Sequence, residues 1–123
     1  DPALALLVAA NIVWTGWRLL QRSAAGLMDS SLPPSDQTLL VGVLERYRAQ
    51  GIEFHAVRGR ESGARRFISL HVLVPATWTI ARAHQLAEEI DQEIRRVLPQ
   101  TSVFTHLEPL DDPSSLEDIP LDR

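Results

Sequence analysis

Residues 52–75, IEFHAVRGRESGARRFISLHVLVP, read as two strands joined by a tight turn. In the second half Ile68, Leu70, Val72 and Val74 alternate with Ser69, His71 and Leu73, the period-two pattern of a strand with one apolar face. The first half, Ile52 to Arg60, is a strand leading into it. Glu61-Ser62-Gly63-Ala64 supplies a glycine for the positive φ of a turn. Beyond the hairpin, Ile80, Ala83, Ala87, Ile90, Ile94 and Val97 recur at helical spacing, with Thr79 as cap and Pro99 as stop. Thr101 to Leu107 forms a third strand, closed by Pro109. Before the hairpin, Leu39, Leu40, Val43, Leu44 and Tyr47 mark one apolar face of a helix over Thr38–Gln50, ended by Gly51.

The order helix, strand, strand, helix, strand predicts an α/β fold, an open ferredoxin-like sandwich with helices on one face of a small sheet. We assign this domain to residues 35–110. Ahead of it, ALALLVAANIVWTGWRLL at 3–20 has one charged residue, Arg18, and is about the ~20 residues that cross a bilayer as a helix. Trp14 and Trp17 suit an interface, and Arg18 and Arg22 favour the cytoplasmic side. The alternative, a buried amphipathic helix, requires a polar face that this segment lacks. Residues 1–22 are therefore expected to be a membrane span and 23–34, with Pro33-Pro34, a linker. Residues 111–123, acidic and proline-containing, are expected to be a disordered or loosely docked tail. The sequence starts at Asp1 without an initiator methionine, which reads as a fragment of a longer protein.

Composition narrows the chemistry. The net charge is −4, which gives no reason to expect a nucleic-acid partner. With no cysteine there is neither a disulfide framework nor a thiolate metal site. Four histidines remain, His55, His71, His84 and His106. His71 points away from the apolar face of its strand, beside Ser69. His106 and Glu108 share a face of the third strand, about 6.5–7 Å apart, close enough to converge on a cation. His55 lies where strand pairing brings it near His71, and His84 sits at the margin of the second helix's apolar stripe. Imidazole and carboxylate suit zinc, and also cobalt, nickel or ferrous iron. The spacing alone is weak evidence, because there is no HExxH and most strand histidines are solvated rather than ligating.

The segments DPALALLVAANIVWTGWRLL, Leu27–Asp29 with LPP after it, FHAVRGRESG, ISLHVLV, AHQLAEEI and VFTHLEP, in this order and spacing, resemble the end of cation diffusion facilitators, closest to bacterial zinc and ferrous-iron exporters. The resemblance runs from the last membrane span to Pro109. It implies a homodimeric inner-membrane exporter that exchanges a divalent cation for protons, with a metallochaperone-like αββαβ domain in the cytoplasm. That domain binds zinc, or another divalent ion such as Fe2+, Co2+, Ni2+ or Mn2+, between protomers. The family's ligand positions fall on His55, His71, His84, His106 and Glu108, the last an aspartate in well-studied members. Asp29 matches an aspartate of a charge interlock between the membrane and cytoplasmic parts. Arg58, Arg60, Ser62 and Gly63 match a structural turn. The transport site falls on spans outside this sequence. The alternatives are a plain dimerisation module without metal, a small-molecule-sensing ferredoxin-like module, and a hydrolytic metalloenzyme. The last lacks a positioned base, and no enzymatic activity is expected.

Overall fold

The computed structural model describes residues 1–27 and 30–116. Asp29, expected in the charge interlock, lies outside the described residues. In chain order the elements are α1 (Pro2–Leu27), β1 (Ser30–Ser31), α2 (Pro34–Arg48), β2 (Glu53–Ser62), β3 (Arg65–Val74), α3 (Ile80–Val97), β4 (Thr101–Pro109) and a 3-10 helix (Pro113–Leu116). The expected α-β-β-α-β sandwich is present, with one edge strand more than the periodicity predicts. The sheet order is β1-β2-β3-β4. β2 and β3 form the antiparallel hairpin, and β4 lies parallel to β3 because α3 carries the chain back across the sheet.

The helices begin and end for local reasons. α2 starts at Pro34 rather than Thr38, because proline has no N–H to lose at the first helical position. It stops before Gly51, which takes φ +86°. The Thr79 hydroxyl accepts from the Arg82 N–H at 3.2 Å and so caps α3. Ile90 and Ile94 of α3 and Val43 and Leu44 of α2 then pack on Ile68, Leu70 and Val72 of β3, all essentially buried. A single arginine ties three elements together. Arg66 at the start of β3 donates from Nε to Asp36 Oδ2 of α2 at 2.6 Å. It also donates from Nη1 to the Pro99 carbonyl at 2.9 Å, ahead of β4. All this packing uses one face of the sheet. The other face carries Ser69, His71, Leu73, Phe104 and His106; it is open at Phe104 and His106, while Leu73 at its far end is buried.

α1 behaves differently from α2 and α3. Its side chains are exposed from residue 2 to 25, with Leu6, Val13, Trp14 and Trp17 each more than half exposed. Pro2–Ala25 is long and apolar enough to cross a membrane and is unburied, so the buried-helix alternative fails. The span 23–34, expected to be a linker, holds the last turn of α1, then β1, then Leu32, which is buried. The described start of the expected tail, 111–116, and Leu110 before it make contacts with the domain. The Leu110 N–H donates to the Val74 carbonyl at 2.8 Å, and the Ser115 hydroxyl to the Pro109 carbonyl at 2.9 Å. The remainder of the tail, 117–123, lies outside the described residues.

Leu32 seats against Gly59 of β2, where an added Cβ would stand 2.2 Å from Leu32 Cδ1. Replacing Gly59 by alanine should therefore cost about 1–3 kcal/mol through overpacking. Urea unfolding of the detergent-solubilised chain measures this. Combining Gly59→Ala with Leu32→Ala should give less than the sum of the two single effects.

Candidate metal centre

Neighbouring strands each contribute a histidine to one row on the open face. His55 of β2 is the direct cross-strand partner of His71 of β3, and His71 is the partner of His106 of β4. Ring centroids lie 5.1 Å apart for His55 and His71 and 5.0 Å for His71 and His106. The alternation read from the sequence explains the placement: Leu70 and Val72 point into the core, so His71 points out. Two residues beyond His106, Glu108 rises from the same face of β4.

The Glu108 carboxylate sits among the rings. Oε2 is 2.8 Å from His55 Nε2, and Oε1 is 3.0 Å from His71 Nδ1 and 3.3 Å from His106 Nε2. The side chain of Glu108 is only 15% exposed, whereas His106 is 67% exposed. The His55 Nε2–Oε2 contact is a hydrogen bond whose direction depends on the imidazole tautomer. His71 Nδ1 is buried and makes no hydrogen bond, although Oε1 stands 3.0 Å away. A buried polar nitrogen left without a partner is costly.

That orphan atom tests whether the site suits a metal ion. One donor atom from each of His55, His71 and Glu108 lies within 4.8 Å of the others. Donors around a tetrahedral ion at ~2.0–2.1 Å stand ~3.3 Å apart, within reach of small side-chain rotations. Two nitrogens and a carboxylate oxygen match zinc and its first-row neighbours. A cation here would satisfy His71 Nδ1 and displace the proton between His55 and Glu108. The residues present fit such an ion.

His106 borders this trio on its solvent side. His84 does not join it. It is exposed on α3, with Nε2 4.0 Å from Glu88 Oε1, and α3 packs on the opposite face of the sheet. Arg60, read as structural from its motif, stacks over Phe67 at 4.4 Å. The sequence reading missed the irregularity in β2 between His55 and Arg58. Its signal was present: Phe54 and Gly59 both face the core although they are an odd number of residues apart.

Residues 32–110 match the family described as cation efflux protein, cytoplasmic domain. The chain belongs to the cation efflux, or cation diffusion facilitator, family. An uncharacterized transporter of Synechocystis sp. is 44% identical over 115 residues, covering 94% of this chain and 37% of that protein. The cation-efflux pump FieF of Pectobacterium atrosepticum is 30% identical over 111 residues, covering 89% of this chain and 36% of the pump. The chain thus spans little more than a third of these relatives. Among solved structures, the Zn form of the transporter CzrB is similar with a TM-score of 0.59 and 28% identity, over 68% of this chain and 94% of that one. The metal-bound C-terminal domain of the CzcD transporter from Thermotoga maritima has a TM-score of 0.58 and 25% identity, over 67% of this chain and 99% of its own. The chain is therefore a cation efflux cytoplasmic domain preceded by a helix able to span a membrane, and it belongs with transporters rather than enzymes.

Because one carboxylate touches several rings, Glu108→Gln should shift the imidazole nitrogen resonances of His55 and His71 together in metal-free protein. The His84 resonances should stay in place. Histidine side-chain 15N spectra of wild type and variant provide the check.

Proposed function

We propose that this chain is the C-terminal part of a homodimeric inner-membrane exporter of divalent cations, with zinc the main candidate, which exchanges the cation for protons. In this reading α1 is the last membrane span and the following domain lies in the cytoplasm. There it senses metal and regulates transport, the transport site itself lying on other spans. The observation that carries the reading is the convergence of His55, His71 and Glu108 on one point of the sheet face opposite α2 and α3. This trio supplies only part of a coordination shell, so a second copy can complete it. His106, at the rim, and the exposed His84 are the side chains available for sharing between copies.

The chemistry follows from linkage. An ion that binds the closed pair of domains better than the separated ones tightens the pair by the same free energy. Tightening at the cytoplasmic end then biases the membrane spans to which each domain is joined. Protons compete with the metal for imidazole and carboxylate, so affinity falls as pH is lowered. The relatives' printed names support a cation cargo, and the zinc and metal-bound forms of CzrB and CzcD support a metal on this fold.

Titrating zinc into the detergent-solubilised chain, followed by sedimentation, should shift association toward a tighter dimer, and chelator should reverse it. His71→Ala should abolish the zinc-dependent shift with the circular dichroism unchanged. A dimer indifferent to zinc and chelator would instead identify a plain dimerisation module.

A further inference from the structure

β2 pairs with β3 in two registers. On the turn side the pairs run from Ser62 with Arg65 to Arg58 with Ser69, and on the site side from His55 with His71 to Glu53 with Leu73. Between them Ala56 and Val57 face Leu70 alone, which is a β-bulge. Ala56 has φ +49°, in the left-handed region that an L side chain disfavours.

The geometry points to Ala56 as a positioning residue for the metal centre, acting through His55; this rests on the reading of His55, His71 and Glu108 as a metal site. If the turn-side register continued without the bulge, Val57 would pair with Leu70, Ala56 with His71, and His55 with Val72. A slip of one residue moves every side chain to the other face, so His55 would enter the core beside Val72. The bulge returns it to the open face, directly across from His71. It has a second effect. His55 on β2 reaches Glu108 on β4 at 2.8 Å although β3 runs between them, a backbone separation of about 9.6 Å. A bulge bends its strand and raises the local twist, which inclines His55 over β3 toward that carboxylate.

The test uses the full chain in detergent with Co2+, whose visible absorption reports coordination geometry, alongside thermal melting. Ala56→Gly accepts positive φ without a Cβ and should bind Co2+ as wild type does. Ala56→Val, β-branched and ill-suited to positive φ, should fold but bind about tenfold or more weakly, the range for residues that orient ligands, with an altered Co2+ spectrum. Deleting Ala56 gives a regular strand that still pairs His55 with His71, and should also weaken binding because the bend is lost. It decides the matter if Ala56→Val fails to fold. Wild-type affinity and spectrum in the folded Val variant, or in the deletion variant, would overturn the role of Ala56. A wild-type chain that binds no Co2+ would instead sink the metal-site reading itself.

Discussion

One carboxylate holds the open face of the sheet together. Glu108, largely shielded from solvent, touches imidazoles from β2, β3 and its own strand. Burying a carboxylate without partners is unfavourable, and the groups that touch Glu108 here are imidazoles. A longer arm than aspartate lets one side chain reach across β3 to His55.

The rest of the fold keeps that face clear. Both α2 and α3 cover the opposite side, where Ile68, Leu70 and Val72 make the core. Arg66 joins the start of α2 to the turn before β4, which fixes β4 beside β3 and therefore His106 beside His71. Parallel pairing between β3 and β4 needs the α3 crossover, so the helix that builds the core also brings the last two donors alongside the first two. Packing on one face thus sets how these side chains are placed on the other. α1 takes no part in this core. It ends only a few residues before β1, which pairs with β2, so the strand carrying His55 has the shortest route to the membrane helix.

Much of this was legible in the sequence because it rests on periodicity. The alternation around His71 gave its direction, and the three-four spacing of α3 gave its buried face from Ala83 to Ile94, although Ile80 of the same stripe is exposed. The membrane helix was legible from the near absence of charge. What escaped has no periodic signature. β1 is two serines that become a strand only because β2 offers an edge. The pairing of Asp36 with Arg66 joins residues 30 positions apart whose types are common on any surface. The bulge left a trace in the odd spacing of Phe54 and Gly59, but strand runs are read by alternation, and one extra residue looks like noise. His84 was grouped with the other histidines by resemblance, and the helix that carries it faces away from them within a protomer.

The most direct measurement is anomalous scattering at the zinc edge from crystals of the chain grown with zinc. The account predicts a peak bonded to His55 Nε2, His71 Nδ1 and a Glu108 oxygen at ~2.0–2.2 Å. Zinc absent from that trio, with its three side chains left in contact only with one another, would contradict it.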